Sequence, residues 1–313
     1  MEDNKTYNFN KIQNFKCGEN VHQEANLYSF NKQIDFEIIN GNLLTYNNIL
    51  DATCGLEIAA EFFDVAACVI SHHANPSAVA LANTIENAFD KVLDADTLCV
   101  FDSVITFTRE INENLAKKLS QMKLKVLIAP SFSSGAIEIL KTVKNLKLVK
   151  INTPLQEIPT YYQEEIKITP FGALIQQKDT KELDVETFKV ATKKKPEQGE
   201  VEDMIFASKI AKHAKSSAIV IAKDLRTLAI CAGQSNSINA LEVAINRVCD
   251  STKNSIVAFD GAIKSIEDIQ LIAQNRISGA IQSGGTSKDS EVIALADKLE
   301  VSIITTGIKH IKH

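Results

Sequence analysis

Short apolar runs alternate with longer amphipathic stretches along most of the 313 residues. Apolar runs of about four to eight residues are typical of buried strands, whereas apolar residues at every third or fourth position are typical of helices. In the first half this pattern predicts helices over residues 49–63, 76–93, 110–122 and 133–143, the first of them capped within 46–48. It predicts strands over 65–70, 98–107, 125–129 and 146–151.

The same alternation returns in the second half of the chain. It predicts helices over 200–214, 236–249, 266–274 and 287–299, and strands over 218–222, 227–231, 256–260, 279–282 and 302–305. Residues 1–35 are predicted to be irregular with short strands, and the proline-interrupted stretch 152–195 to hold a hairpin at about 166–174. We therefore predict an α/β protein with sheets covered on both faces, in two lobes over 1–155 and 197–313 joined by a connector at 156–196.

Two adjacent histidines, His72 and His73, follow the buried run at 65–70. In open α/β sheets ligands bind outside the carboxyl ends of the strands, and a proline at position 76 is placed to open a helix there. Near neutral pH one imidazole can accept a proton while a protonated neighbour polarises a carbonyl. A purely structural role is also common for a histidine at a strand end, so both interpretations stay open. Metal binding is disfavoured, because adjacent strand residues point to opposite faces and no acid or cysteine stands at ligand spacing.

Composition narrows the class of protein but not its function. The apolar fraction is 45%, the charged fraction is 23% and the net charge is −5, which is typical of a soluble globular protein and argues against nucleic acid or an anionic membrane as the partner. No apolar run reaches the roughly 20 residues of a membrane span, and the polar first residues do not resemble a signal peptide. The six cysteines stand singly, which fits a reduced cytoplasmic protein better than a disulfide framework or a zinc site.

Three further stretches combine polar groups with a predicted strand end. Gly284 and Gly285 precede a helix, where backbone N–H groups either bind phosphate or form a plain turn. Gln234 and Asn236 follow a strand and suit either recognition of a carboxamide or capping of the next helix. The basic tail 309–313 follows the last strand and is either solvated or folded over an anionic ligand.

Motifs spread over residues 16–313 resemble the transformylase domain of the bifunctional AICAR transformylase/IMP cyclohydrolase family. They are the stretches 18–23 (GENVHQ), 46–52 (YNNILDA), 73–76 (HANP), 136–140 (AIEIL), 212–220 (KHAKSSAIV), 232–234 (AGQ), 282–285 (QSGG) and 306–310 (TGIKH). Because they occur in collinear order over nearly the whole chain, the resemblance is specific. The cyclohydrolase half that precedes this domain in the family has no counterpart in this sequence, so IMP ring closure is not expected.

The resemblance implies two cytidine-deaminase-like α/β/α lobes with mixed sheets, in a homodimer with active sites at the subunit interface. It implies a zinc-free reaction in which a formyl group moves from the co-substrate N10-formyltetrahydrofolate to the 5-amino group of AICAR or a similar phosphoribosyl amine. In the family a Lys-His pair supplies a cation and a base beside the formyl group, and these two positions are His72 and His73 here. The resemblance also implies substrate binding by Lys16, Asn75, Ser217, Gln234, Ser237, Lys309 and His313, and folate binding by Ile263, Ser265 and Glu267.

Several ligand-facing positions differ from those of the family. The family lysine is replaced by His72, and an imidazole is mostly neutral at pH 7 in its ordinary state. The other replacements are Lys16-Cys17 for Arg-Tyr, Asp102 for a turn glycine, Lys125 for an acid, Ser217 for an asparagine, Ser237 for an arginine and 262–265 for Phe-Phe-Pro-Phe. Each lost charge-assisted hydrogen bond costs about 1.5–3 kcal/mol. Three hypotheses therefore stand: formyl transfer to AICAR, an inactive paralogue that binds or regulates, and formyl transfer to a different amine.

Overall fold

The structure, a computed structural model, describes residues 4–30, 32–95 and 98–313, except for the side chains of residues 249 and 250. The helices in these ranges are α1 Tyr46–Ala60, α2 Ile85–Ala95, α3 Glu113–Leu119, α4 Ser134–Lys141, α5 Gln198–Ala211, α6 Ser237–Val248, α7 Ile266–Gln274 and α8 Asp289–Lys298. Short 3-10 helices cover Leu155–Thr160, Val185–Thr187 and Cys249–Thr252. None of the helices in this part of the chain is long and apolar enough to cross a membrane.

The strands are β1 Asn10–Asn14, β2 Asn26–Ser29, β3 Phe36–Asn40, β4 Ala66–His72, β5 Asn75–Ala82, β6 Val104–Phe107, β7 Val126–Ala129, β8 Lys147–Ile151, β9 Glu164–Thr169, β10 Gly172–Gln177, β11 Lys189–Val190, β12 Ile219–Lys223, β13 Arg226–Cys231, β14 Ile256–Phe259, β15 Gly279–Gln282 and β16 Ser302–Thr305. Strands β1 and β2 form one hairpin, and β9 and β10 form another. The other strands form a single 12-stranded sheet.

The large sheet consists of two halves with the same strand order. The order across it is β11-β16-β15-β14-β12-β13-β5-β4-β6-β7-β8-β3. In each half an antiparallel hairpin, β4–β5 or β12–β13, is followed outward by one antiparallel neighbour and two parallel strands. The hairpins meet at the centre, where Arg226 of β13 pairs with Ala80 of β5. The fold is therefore α/β with one mixed sheet, whose halves are similarly built.

The apolar core lies in layers on both faces of this sheet. On one face, a single cluster extends across both halves and includes Ile58 of α1 and Phe206 of α5. On the other face the halves have separate clusters, one around Phe89 and Phe107 and one around Ile245 of α6. Because α1 and α5 share one core, the two halves are joined by packing as well as by strand pairing. The boundaries 1–155, 156–196 and 197–313 remain a prediction.

Most predicted elements are present with small shifts at their ends, and the predicted hairpin near 166–174 is confirmed as β9–β10. Helix α1 begins and ends three residues before its predicted bounds, because Thr45 rather than residues 46–48 caps it. The hydroxyl of Thr45 accepts from the N–H of Asn48 at 3.2 Å. Strand β3 was not predicted; it pairs antiparallel with β8 at the edge of the sheet.

The predicted helix over 76–93 is wrong in its first half. Residues Asn75–Ala82 form β5, which pairs with β4, and α2 begins at Ile85. Pro76 lies opposite Ser71, next to a register shift, and an irregularity of this kind tolerates the missing N–H of proline. An apolar stretch such as residues 76–82 fits a strand buried on both faces as well as a helix, so periodicity does not separate them. The histidines therefore lie at a hairpin turn, not at a strand-to-helix junction.

A buried aspartate on the preceding helix holds each central hairpin turn. In the first half Asp51 Oδ1 accepts from the N–H of Ala74 at 2.7 Å. In the second half the Asp203 carboxylate accepts from the N–H groups of Asp224 and Leu225 at 2.9 and 2.7 Å. Each pair of turn residues has positive φ, His73 and Ala74 at 53° and 56° in the first turn, which is the geometry of a tight two-residue hairpin.

Replacing Asp203 by Ala should lower the free energy of unfolding by about 2 kcal/mol, because two turn N–H groups lose the carboxylate that accepts from them in a partly buried site. Urea denaturation followed by circular dichroism measures this loss. The control is Glu202→Ala at the adjacent exposed position of α5, which should change stability by no more than about 0.5 kcal/mol. Equal effects of the two substitutions would contradict the proposed role of Asp203.

Candidate active site

Residues 72–75, which connect β4 to β5, form the histidine hairpin. This hairpin brings two imidazoles side by side at the end of β4. The ring centroids of His72 and His73 are 4.3 Å apart, with the rings inclined at 46°. The expectation that the two side chains diverge is therefore wrong, because His73 lies in the turn and not on the strand. The His73 side chain is exposed, whereas His72 is half-buried and its Nδ1 atom has no hydrogen-bond partner in the structure.

Burial lowers the pKa of His72, and the neighbouring His73 lowers it further. The carboxylates of Asp51 and Asp102 act in the opposite direction but are outweighed. His72 is therefore a neutral imidazole at neutral pH, available as a hydrogen-bond partner but not as a positive charge. The exposed His73 is the imidazole that a ligand can reach.

Asn75 connects the histidine hairpin to the second half of the chain. Its Oδ1 accepts from the N–H of Lys215 at 3.1 Å, and its Nδ2 donates to the carbonyl of His73 at 3.2 Å. Two residues further, the N–H of Ser217 donates to the carbonyl of Gln234 at 3.0 Å. The structure thus brings the predicted site residues Asn75, Ser217 and Gln234 together beside His73.

The basic tail folds back onto the same place. The N–H of Lys312 donates to Ser216 Oγ at 3.1 Å, and the N–H of Ser216 donates to the carbonyl of Lys312 at 2.9 Å. The Ser216 hydroxyl donates in turn to the carboxylate of Asp260. His313 carries the last carbonyl, which accepts from Lys167 Nζ at 3.1 Å, and Lys309 is exposed. The tail therefore folds back against residues 215–217, and its folding over an anionic ligand stays a prediction.

A buried ion network that the sequence did not indicate anchors this tail. Glu57 of α1 accepts from Lys178 Nζ at 2.6 Å and from the Tyr162 hydroxyl, and Lys312 Nζ lies 3.5 Å away. His213 lies 3.6 Å from the same carboxylate. A cavity of about 850 Å³ opens beside Glu57 and is lined by Glu57, Glu61, Lys178, Lys212 and His213 among others. The hydrophobic spacing of α1 had indicated only a helix there.

Residues 16–23 lie at the beginning of α1. The Asn47 side chain in the first turn of that helix donates to the carbonyl of Glu19 at 3.2 Å. Lys16 is exposed and Cys17 is half-buried. Since Asp51 on the next turn of α1 holds the histidine hairpin, Lys16 is at the same end of the sheet as His73.

The positions assigned to folate are largely engaged within the protein. Ile263 is fully buried in the core, and its N–H donates to Gln282 Oε1 at 2.7 Å. Ser265 caps α7 by accepting from the N–H of Asp268 at 3.4 Å, while Glu267 is exposed. Ser237, assigned to substrate, donates to Asp268 Oδ2 at 3.2 Å. Of these four, Glu267 alone presents an exposed side chain.

Hydrogen bonds within the protein bear on two of the open alternatives. Asn236 caps α6, because its Oδ1 accepts from the N–H of Asn239 at 2.8 Å. Gly285 donates its N–H to Asp289 Oδ2 at 2.8 Å, and the N–H of Thr286 donates to the same carboxylate at 3.2 Å. An internal carboxylate thus accepts from two of the N–H groups in this turn, which favours the interpretation as a plain turn. Among the described residues, no group of three or more His, Cys, Asp or Glu side chains is arranged to hold a metal ion.

Fold and geometry together define an α/β protein with one mixed sheet and a candidate site centred on two imidazoles near the junction of its two half-sheets. The sequence profile of the AICARFT/IMPCHase bienzyme family matches residues 1–247. The chain belongs to this family.

Similar curated proteins include the bifunctional purine biosynthesis protein PurH of Caldicellulosiruptor saccharolyticus, 36% identical over 309 residues, and that of Anoxybacillus flavithermus, 35% identical over 319 residues. The matches cover 96% and 98% of this chain but 59% and 60% of those proteins. The chain thus spans about three fifths of the length of these relatives. Among solved structures, reduced HcgD from Methanocaldococcus jannaschii is 10% identical over 64% of this chain and 72% of that chain, with a TM-score of 0.17, a likeness too slight for any comparison.

Replacing Glu57 by Gln should destabilise the protein by about 3 kcal/mol at pH 7, because Lys178 then keeps a buried charge without its counter-charge. Urea denaturation measures the change, and Glu291→Gln, which removes an exposed pair with Lys288, is the control with an expected loss under about 1 kcal/mol.

Burial raises the pKa of Glu57, but His213, Lys178 and Lys312 outweigh it and hold the pKa far below its usual range. The stabilisation is therefore fully present above the ordinary pKa of 4.5 and is lost progressively as the pH falls from that value toward the folded-state pKa. A difference between wild type and Glu57→Gln that stays constant down to pH 3 would contradict this explanation.

Replacing Asp268 by Asn should stabilise the protein above pH 6. Burial raises the pKa of Asp268 to about 6, against the opposing hydrogen bond from Ser237. A raised carboxyl pKa means that the folded state binds the proton more tightly, so wild-type stability falls as the pH rises from 3.8 to about 6. The variant escapes this loss of about 3 kcal/mol. Thermal melts of the wild type and Asp268→Asn at pH 4 and pH 8 test this prediction, with the exposed Glu242→Gln as control. A change in melting temperature for Asp268→Asn that is the same at both pH values would refute the prediction.

Proposed function

We propose that this chain transfers a formyl group from N10-formyltetrahydrofolate to the 5-amino group of AICAR or a related phosphoribosyl amine. The observation that supports this most is that three separated segments meet through hydrogen bonds at residues 215–217. These are the histidine hairpin with Asn75, the loops at Ser217 and Gln234, and the tail at 309–313. Membership of the AICARFT/IMPCHase bienzyme family and similarity to bifunctional purine biosynthesis proteins add independent support.

In this proposal His73 is the general base. The acceptor amine is a poor nucleophile because its lone pair is delocalised into the heterocycle and its carboxamide, so losing a proton during attack lowers the barrier. The His73 imidazole is exposed and therefore accessible to such an amine. The nearby Asn75 accepts from the N–H of Lys215, two residues before Ser217. His72 remains neutral and orients a ligand by hydrogen bonding. Lys16, Lys309 and His313 bring positive or neutral donors to the anionic phosphoribosyl group.

The proposal includes an architecture of two cytidine-deaminase-like lobes and a homodimer with interface sites. The repeated strand order in the two half-sheets supports two related lobes. His73, Lys309 and His313 all have exposed side chains at one end of the sheet, where a second copy is able to complete the site. Sedimentation equilibrium determines whether the chain dimerises, and a monomer at micromolar concentration would remove the dimer from the proposal.

A second candidate function, a catalytically silent binding or regulatory module, is favoured by one group of observations. The hydroxyls of Ser237 and Ser265 and the Ile263 side chain are used internally. If they make no ligand contacts, the folate side of the site is weakened. Calorimetry with AICAR and with folates separates the candidates, because binding without turnover supports the module alone. Turnover with other amines but not with AICAR would instead indicate a different acceptor.

Purified protein incubated with AICAR and N10-formyltetrahydrofolate should release tetrahydrofolate, followed by absorbance. His73→Ala should lower kcat by about 10²- to 10⁴-fold, the range typical of a lost general base. The control His22→Ala removes an exposed imidazole in the segment before β2 and should leave kcat within about twofold. Absence of turnover in the wild type at micromolar enzyme would reject formyl transfer to AICAR, and full activity of His73→Ala would reject the assignment of the base.

A further inference from the structure

The end of the sheet that carries the histidine hairpin also carries a lysine with no assigned role. Ser71, next to His72, pairs with Val104 of β6, and Val104 pairs with Val126 of β7. Lys125 immediately precedes β7, and its N–H donates to the carbonyl of Ser103 at 3.1 Å. Its backbone is therefore two strand spacings, about 10 Å, from that of His72. An extended lysine side chain covers more than half of this distance.

The ammonium group of Lys125 is held by Asp102. Lys125 Nζ lies 2.9 Å from Asp102 Oδ2, and the two side chains are 40% and 39% exposed. Asp102 is in a turn with φ of 58°, and its N–H donates to the carbonyl of Lys123 at 2.8 Å. An ion pair this exposed contributes about 0–1 kcal/mol, so Asp102 can orient Lys125 without preventing it from turning to an anionic ligand.

Lys147 is the neighbouring lysine at the same end of the sheet, but its side chain is differently engaged. Lys147 Nζ donates to Asn48 Oδ1 on α1 at 2.9 Å. Burial lowers its pKa, and the charge of Lys125 lowers it further. Lys147 is thus half-buried against a helix, whereas Lys125 has the more accessible positive charge.

Resting on the proposed formyl transfer, we propose that Lys125 supplies the permanent positive charge beside the transferring formyl group, with Asp102 as the residue that positions it. The resemblance gives that charge to position 72, where this chain has a histidine. The pairing of Lys125 with Asp102, both of them replacements at family ligand positions, indicates that the cation has moved two strands along the sheet.

The reaction then balances without an added oxidant, reductant or metal. The amine nitrogen bonds to the formyl carbon, and the C=O π electrons move to oxygen, whose negative charge faces the Lys125 ammonium. His73 takes a proton from the amine. When the C=O bond forms again, the bond from carbon to N10 of the folate breaks, and N10 receives a proton. The products are the formylated amine and tetrahydrofolate.

The test uses the full chain and four variants: Lys125→Gln, His72→Lys, the double variant His72→Lys/Lys125→Gln, and Lys123→Gln as control. Lys123 is exposed in the same loop, with Nζ 4.7 Å from the Phe101 ring centroid. Lys125→Gln should lower kcat at least 100-fold with a smaller change in KM. The double variant should recover at least tenfold of that loss, because a lysine returns beside His73. Lys123→Gln should stay within twofold of the wild type.

Two results on active wild type would overturn the assignment while leaving formyl transfer intact: kcat of Lys125→Gln within threefold, or a double variant no faster than Lys125→Gln. An inactive wild type would reject the proposed function and with it the catalytic role of Lys125.

A histidine NMR titration gives a readout that needs no turnover. The groups that face His72 are His73, Asp51, Lys125 and Asp102. Loss of the Lys125 charge should raise the pKa of His72, and an unchanged value would place Lys125 out of reach and overturn the assignment.

Discussion

The position of the candidate site depends on how buried turn N–H groups are satisfied. A buried polar group without a partner costs about 1–3 kcal/mol, and the acceptors at both central turns are carboxylates that are themselves buried. Asp51 and Asp203, each the sixth residue of its helix, supply the acceptors. The carboxylate fixes the helix relative to the hairpin and therefore fixes where the turn residues project. In the first half those residues include His73; in the second half they are Asp224 and Leu225, which carry no comparable chemistry.

Much of the fold could be predicted from the sequence because most strands are short, apolar and bounded by turn residues. The elements at 266–274, 279–282 and 302–305 agree with the structure residue for residue. The error at residues 76–82 has a physical reason: a strand buried on both faces lacks the alternation that identifies a half-buried one. The polar residue that marks this hairpin lies outside the strand: it is Asp51 of α1, which accepts from a turn N–H. The single sheet that joins both halves was not predictable, because Arg226 and Ala80 are far apart in sequence and their pairing has no signature in the local sequence.

The candidate site was predictable in part. The histidine pair, Asn75 and the tail were identified from their sequence context, and the structure brings them together. Ser237 shows the limit of reasoning from position, because its hydroxyl is bound to Asp268, a buried carboxyl 31 residues away in sequence. Glu57 was missed for a related reason: its partners Lys178, His213 and Lys312 come from three distant segments. Sequence indicates which groups are present, whereas long-range contacts decide which of them remain free for a ligand.

The Glu57 network links the stability of the fold to the geometry of the site. Lys312 is held twice, by its backbone against Ser216 and by its ammonium near Glu57, and the backbone contact lies next to Ser217. His310 adds a third attachment, since its ring lies 2.6 Å from Asp179 in the segment after β10. The segment between the half-sheets therefore fixes the tail as well as joining them. A change that loosens this segment displaces Lys309 and His313, so the geometry of the candidate site and the folding stability are coupled through the same buried carboxylate.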